Sequence, residues 1–168
     1  DDSRALIGAN KLQEPPYNLR GEGFTAAIWD GGSVKFHPDL NYSGKTILGE
    51  DNGVSAHAVH VAGTMLGGGK VNDQYRGIAP DSRLVSYDFF FSDGQELLNE
   101  TNKSVSIYNA AVSQNSWGLD PSKEPKSKFG DYLDFSTIYD EIVNGNKRKL
   151  SSNIPVVFSA GNSGPLYS

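Results

Sequence analysis

Asp30, His57 and Asn162 are the three side chains whose types and positions best fit a chemical role. An aspartate that accepts the Nδ1 proton of a histidine fixes the tautomer of the ring and favours the imidazolium formed on protonation. The other ring nitrogen can then deprotonate a hydroxyl nucleophile, while an amide donor stabilises the oxyanion of a tetrahedral intermediate. Taken singly, Asp30 and Asn162 are also typical turn residues. Together, the three side chains favour an acyl-transfer site.

His57 lies in the segment Val54–Thr64, whose small side chains predict a short, buried helix. Ser55 is placed to cap this helix. The positive end of the helix dipole disfavours an imidazolium at His57, which suits a general base. His60 follows at a spacing of three and is predicted to be a hydrogen-bonded core residue. A zinc site on both histidines is disfavoured, because the i, i+4 spacing and the glutamate of a helix-borne zinc motif are missing.

Three apolar runs that are too short for helices each lead into a polar or glycine-rich segment. Phe24–Trp29 predicts a strand buried on both faces, and Asp30 follows it directly. The third predicted strand of the chain delivers Gln114–Gly118, and Ile154–Phe158 predicts a fourth that delivers Ser159–Asn162. Open α/β sheets keep their chemistry at the carboxyl ends of their strands. We therefore expect these three segments to meet at one edge of a sheet.

The other predicted elements alternate with these strands along the chain. The segment Ser104–Val112 is ambiguous between helix and strand. The alternation of strands and helices along the chain predicts an α/β fold with a parallel sheet and right-handed crossovers. The elements are a helix over 3–12, a turn at His37–Leu40, a strand at Arg83–Phe91 that ends in Ser92, a helix from Gln95 to about Lys103, a surface segment at Leu119–Gly130 and a helix from Phe135 to Val143 that Gly145 ends.

Composition limits the size of the core and the classes of partner. With 168 residues, 37% of them hydrophobic, the chain can bury one core, so we expect one domain or part of one. The absence of cysteine excludes disulfides, a thiolate nucleophile and a cysteine-based zinc site. A net charge of −5 argues against nucleic acid, and the basic cluster Lys147–Lys149 is more typical of a solvated helix end. Because the apolar runs are short, we expect a soluble chain without a membrane partner.

Six short motifs along the chain resemble those of the subtilisin-like serine proteases. They occur in the order of that family and run through nearly the whole chain from about residue 22. The resemblance implies that residues 1–168 are the N-terminal part of such a peptidase domain, an α/β doubly wound parallel sheet that is incomplete at its C-terminal side. The motifs are WDGG at Trp29–Gly32, HPDL at His37–Leu40, HAVHVAGT at His57–Thr64, GIAP at Gly77–Pro80, NSWG at Asn115–Gly118 and SAGNSGP at Ser159–Pro165.

The same resemblance assigns roles to individual residues. Asp30 and His57 match the first two members of the catalytic triad, and Asn162 matches the side-chain donor to the oxyanion. The implied reaction is hydrolysis of a polypeptide substrate by a serine endopeptidase, and secretion is implied by the family alone. Two segments match the strand ends that flank the substrate backbone and the side chain before the scissile bond: Ser116, Trp117 and Gly118, and Ser159, Ala160 and Gly161.

Several positions depart from the family's pattern. Gly31 stands where the family usually has Ser or Thr, and Ala58 and Val59 stand where it usually has Gly-Thr, so that Ala58 adds a methyl group at the cleft. The nucleophile's Gly-Thr-Ser-Met-Ala-like motif does not occur, and Ser163 is interpreted as a turn serine. We therefore expect an inactive isolated chain, with the missing C-terminal part of the domain as its partner, whether or not as a separate chain.

The resemblance implies no cofactor for the chemistry and no catalytic metal, but it allows a structural calcium ion. Asp39 matches a position that often binds calcium in the family, although the following loop GGGKVNDQYRG lacks the usual calcium-loop pattern. Two other function classes remain open. A pseudoprotease would use the same groove to bind peptides without cleaving them. A nucleotide-binding domain is less favoured, because the glycines lack the G-x-G-x-x-G spacing into a helix.

Overall fold

The computed structural model describes residues 2–35, 37–41, 43–90, 93–128, 130–145 and 152–162 of the chain. The predicted basic cluster Lys147–Lys149, the segment Ser163–Pro165, and Phe91 with Ser92 lie outside these residues. The helices and strands, in chain order, are α1 (Asp2–Leu6), α2 (Ala9–Gln13), β1 (Thr25–Asp30), β2 (Thr46–Leu48), α3 (Ala56–Leu66), β3 (Arg83–Asp88), α4 (Gly94–Ser106), β4 (Ala110–Asn115), α5 (Asp134–Asn144) and β5 (Val156–Phe158).

The strands form one parallel sheet in the order β2-β3-β1-β4-β5. All six residues of the central strand β1 are buried, as a strand covered on both faces requires. Trp29 pairs with Asn115, and Asn115 pairs with Phe158, so the carboxyl ends of β1, β4 and β5 lie side by side. The predicted α/β fold and the predicted common edge are therefore confirmed.

Helices cover both faces of the sheet, because the side chains of β1 alternate between them. Ala26 and Ile28 pack with α3 on one face, whereas Ala27 and Trp29 pack with α4 and α5 on the other. The Trp29 indole stacks on the Tyr87 ring of β3, with the ring centroids 5.1 Å apart. This arrangement is the doubly wound architecture that the sequence predicts.

The covering of the α3 face is partial. α3 packs against β1 and β3, and an apolar cavity of about 420 Å³ lies beside it, with Met65, Ala111 and Val112 in its lining. In the edge strand β5, Val157 and Phe158 remain 46% and 44% exposed. The sheet therefore presents apolar surface on the side of β4 and β5.

Three element predictions need correction. The helix predicted over 3–12 is two short helices, because Gly8 adopts a left-handed φ of 75° that interrupts the helical hydrogen bonds. The strand predicted to reach Phe91 ends at Asp88. The edge strand β2 was not predicted, since its three residues carry too little periodicity. The ambiguous segment divides into the end of α4 at Ser106 and the start of β4 at Ala110.

Candidate functional site

Asp30 ends the central strand and is almost completely buried, with 1% of the residue exposed. The backbone N–H of Gly31 donates to Asp30 Oδ1 at 2.7 Å, since the chain turns sharply after the strand. A Cβ at Gly31 would lie 3.7 Å from Phe89 and from Ser55 Oγ, which is ordinary contact. The position after the aspartate therefore has room for a side chain, and glycine there is not forced by packing.

His57 occupies the first turn of α3, which begins at Ala56. Ser55 has an extended backbone, and its Oγ accepts the N–H of Ala58 at 3.1 Å, so it caps the helix as predicted. This cap fixes where the helix starts and thereby directs the His57 ring toward the end of β1. The ring nitrogen Nδ1 lies 2.8 Å from Asp30 Oδ2 and 2.9 Å from Oδ1. The predicted contact between the two side chains is confirmed.

The geometry of this pair determines which ring nitrogen of His57 is available. An ionised carboxylate can only accept hydrogen bonds, so Asp30 favours the tautomer with the proton on Nδ1. Nε2 then carries a lone pair. The His57 side chain is 57% exposed, whereas that of Asp30 is 2% exposed. The arrangement is a buried acceptor behind an accessible imidazole, which can take a proton from a group on the open side.

Ser55 contacts the pair in a way that the sequence analysis did not predict. Its hydroxyl group lies 3.4 Å from Asp30 Oδ1, in addition to capping α3. The position of Ser55 two residues before His57, at the start of the helix, predicts the cap but not the contact with Asp30. One serine therefore couples the start of the helix to the buried carboxylate.

The segment Ser116–Gly118 follows β4 at the same edge of the sheet as Asp30. Ser116 and Trp117 are half-buried, and Gly118 is exposed. The Trp117 ring stacks on Phe89 with centroids 5.3 Å apart and meets Phe158 edge-on at 5.6 Å. A row of aromatic rings therefore joins the ends of β3, β4 and β5, which the spacing of these residues in the sequence does not indicate.

The segment Ser159–Asn162 continues from β5, and all four of its residues are exposed. The N–H of Ser159 donates to Asn115 O at 3.1 Å, which extends the pairing with β4 by one residue. Gly161 has a left-handed φ of 81° that turns the chain before Asn162. β1 and β5 are separated by two strand spacings of about 4.8 Å each. The end of β5, which leads into Ser159–Asn162, therefore lies roughly 10 Å from the end of β1 at Asp30. No hydrogen bond joins Asn162 to Asp30 or His57 within the described residues.

Two predictions about α3 are wrong. His60 is exposed rather than buried in the core. Ala58, expected to add a methyl group at the cleft, is fully buried in the core beneath the helix. Both errors have one cause, because the buried stripe of α3 consists of Ala58, Ala62 and Leu66. His60 lies two positions from Ala58 and from Ala62, about 200° around the helix from each.

The described residues contain one group of at least three acidic or histidine side chains close enough to share a metal ion. Its members are Glu50, Glu96 and Glu100, with carboxylate oxygens within 4.8 Å of one another. Burial raises the pKa of Glu100 to about 8, although the Trp29 indole donates to this carboxyl at 2.8 Å. A carboxyl that holds its proton at neutral pH is a poor cation ligand. Neither His57 nor Asp39 belongs to this group.

Comparisons with known proteins agree with the α/β fold of the chain. A family model described as the subtilase family matches residues 21–167. No curated protein matches the chain in sequence. The structure of the Clostridium perfringens CspB protease superposes with a TM-score of 0.72 at 16% identity, covering 97% of this chain and 41% of that one. For MycP1 from Mycobacterium smegmatis the TM-score is 0.56 at 18% identity, covering 96% and 44%.

A third structure, MycP1 with its N-terminal propeptide removed, gives a TM-score of 0.57 at 20% identity and covers 96% of this chain and 48% of that one. At such identities the likeness shows the fold alone. The chain spans less than half the length of these solved structures, between 41% and 48%.

Proposed function

The chain belongs to the subtilase family, and from this premise we propose that it is the N-terminal part of a serine endopeptidase domain that hydrolyses peptide bonds. The observation that carries the proposal is the distance of 2.8 Å between His57 Nδ1 and Asp30 Oδ2, with the imidazole accessible on its other side. Such a pair is the base-and-orienter half of a triad whose third member is a serine hydroxyl.

In the proposed reaction, His57 Nε2 takes the proton of the serine hydroxyl as the serine oxygen attacks the carbonyl carbon of the scissile peptide bond. Asp30 stabilises the resulting imidazolium through Nδ1. The imidazolium then gives its proton to the leaving amine when the C–N bond breaks. A water molecule hydrolyses the acyl-enzyme by the same steps in reverse order, with His57 again acting as the base.

Asn162 is the proposed side-chain donor to the oxyanion. Its position after the turn at Gly161 and its exposure support this role, because the side chain is not committed to a contact inside the described chain. The exposed segment Ser159–Gly161 and the half-buried to exposed segment Ser116–Gly118 are the proposed backbone partners of an extended peptide. The proposed substrate is therefore a polypeptide held at the carboxyl ends of β4 and β5.

The missing C-terminal part of the domain is the proposed partner, either as a separate chain or as a continuation of this one. The apolar cavity beside α3 and the half-exposed residues of β5 support this proposal, because monomeric proteins rarely leave such faces uncovered. The nucleophile would come with that part, so the isolated chain would not hydrolyse peptides. Secretion is proposed from the family. No helix within the described residues is long and apolar enough to cross a lipid bilayer.

A fluorophosphonate probe that reacts with activated serines tests the proposal on the complete protein. We expect labelling of the protein with His57 intact and loss of labelling in His57→Ala. His60→Ala is the matched control, because His60 lies on the same helix, is exposed and does not contact Asp30. Absence of labelling in a folded complete protein would contradict the enzyme and favour the pseudoprotease, which binds peptides in the same groove.

A further inference from the structure

The segment that follows α3, from Gly67 to Ile78, is held by side chains of the two N-terminal helices. Arg4 Nη1 donates to the carbonyl of Arg76 at 2.8 Å. Gln13 Nε2 donates to the carbonyls of Gly77 and Ile78 at 2.9 Å and 2.8 Å. Three consecutive backbone carbonyls therefore have side-chain donors from outside the segment.

Gln13 is the centre of this arrangement, because it is 6% exposed and its whole amide group is used. While its nitrogen donates to two carbonyls, its oxygen accepts from Arg76 Nε at 3.2 Å. The Arg76 guanidinium also pairs with Asp73 Oδ1 at 2.6 Å within the segment. A buried amide that uses both of its donors and accepts a hydrogen bond as well is a rigid anchor.

The other side of the segment is fixed by Asp39. Its carboxylate, in a residue that is 5% exposed, accepts the N–H of Val71 at 3.0 Å, and its backbone carbonyl accepts the N–H of Gly68 at 3.0 Å. The segment also closes on itself, since Gly77 N donates to Gly67 O at 2.8 Å. A Cβ at Gly77 would lie 2.5 Å from Gly67 N, so this approach requires glycine.

Asp39 is the position at which the family resemblance allows a structural calcium ion, and the residues around it do not fit one. Calcium takes six to eight oxygen ligands. Among the described residues, Asp39 is the one carboxylate that lines the neighbouring cavity of about 320 Å³, whereas Arg4, Arg76, His37 and His60 also line it. Arg4 Nε is buried without an acceptor in the part of the chain that the structure describes. Two guanidinium groups therefore line this cavity beside a single described carboxylate, and the nearby carbonyl oxygens already accept hydrogen bonds.

We propose that Arg4 and Gln13 form a metal-free clamp that replaces calcium in holding the segment Gly67–Ile78. The guanidinium and amide donors satisfy carbonyl oxygens that would otherwise be available to a cation, and Asp39 bonds to the backbone of the segment. The segment is therefore ordered in the same way with and without calcium. This proposal does not depend on the catalytic role of Asp30 and His57.

Hydrogen exchange followed by mass spectrometry tests the clamp on the complete protein. Exchange of the amides of Gly67–Ile78 should be the same in excess calcium chloride and in EGTA. In Gln13→Met it should rise about tenfold, because three hydrogen bonds are lost at a nearly constant side-chain volume. Gln95→Met is the matched control, since the Gln95 amide is exposed and bonds only within α4. If Gln13→Met fails to fold, Arg4→Gln gives the same comparison.

A second measurement separates this segment from calcium sites elsewhere in the complete protein. Any shift of the melting temperature caused by calcium should be equal in the wild type and in Asp39→Asn, which keeps an acceptor oxygen for Val71. The proposal is overturned if calcium slows exchange of the segment in the wild type and not in Asp39→Asn. It is equally overturned if Gln13→Met and Arg4→Gln both fold and leave the exchange unchanged.

Discussion

The substitution Asp30→Asn examines the proposed mechanism most directly, because it changes one buried atom of the pair. Gly31 N–H donates to Asp30 Oδ1 at 2.7 Å, so the amide oxygen of the asparagine must take that position. The amide NH₂ then stands where Oδ2 lies, 2.8 Å from His57 Nδ1. The NH₂ group donates at the shorter of the two distances to Nδ1, so we expect Nδ1 to accept from it rather than donate to the oxygen at 2.9 Å, and the ring proton to move to Nε2. The nitrogen that should act as the base is then protonated.

The expected decrease in kcat is large because the His57 ring remains in place with the wrong tautomer. The same exchange in a serine protease triad lowers kcat about 10⁴-fold, which corresponds to about 5.4 kcal/mol in the activation free energy. We expect a loss of this size in kcat for a chromogenic peptide cleaved by the complete protein. Selective ¹⁵N labelling of histidine should also show that the His57 proton has moved from Nδ1 to Nε2.

Asp88→Asn is the matched control for this experiment. Asp88 pairs with Asp30 in register on β3, is 7% exposed, and bonds to Asn52 and to the N–H of Phe90 rather than to His57. Its change to asparagine should alter kcat by less than tenfold. The reasoning is refuted if folded Asp30→Asn keeps kcat within tenfold of the wild type, or if its His57 proton stays on Nδ1.

Two further substitutions examine how the site is supported. Ser55→Ala removes the cap of α3 and should lower the free energy of unfolding by about 1 kcal/mol in urea titrations; Ser55→Thr should lose less, and equal losses would count against the cap. Burial raises the pKa of Glu100 to about 8 from 4.5, so the folded protein keeps a proton that the unfolded chain releases between these values. Stability should fall as pH rises across this window. In Glu100→Gln the urea midpoint of unfolding should decrease less with pH. An unchanged pH dependence of the midpoint would contradict the raised pKa of Glu100.

The sequence was most informative where one physical constraint dominated. The run Phe24–Trp29 predicted β1 because a strand covered on both faces needs continuous apolar residues. The spacing of apolar residues from Phe135 to Val143 predicted α5, which the structure places at Asp134–Asn144 and Gly145 ends in a left-handed conformation. The contact between Asp30 and His57 followed from their positions at a strand end and a helix start.

The remainder of the site depends on packing that composition does not encode. The row formed by Phe89, Trp117 and Phe158 joins three strands that are distant in sequence, so it required the strand order. The wrong interpretation of His60 had a different origin. Ala58, Ala62 and Leu66 have the spacing of one face of a helix. Two of them are alanines, however, which indicate a buried face less strongly than the neighbouring valines do.

The contact between Asp30 and His57 is positioned by other contacts among the described residues of this chain. Ala58, Ala62 and Leu66 fix α3 on the face of β1, and Ser55 fixes the start of the helix. Because Asp30 is the last residue of the same strand, these contacts set the position of His57 relative to the carboxylate. None of them involves the region that would carry the nucleophile. In the proposed mechanism, His57 is therefore oriented as the base before that region docks, and docking has to align the proposed serine with it.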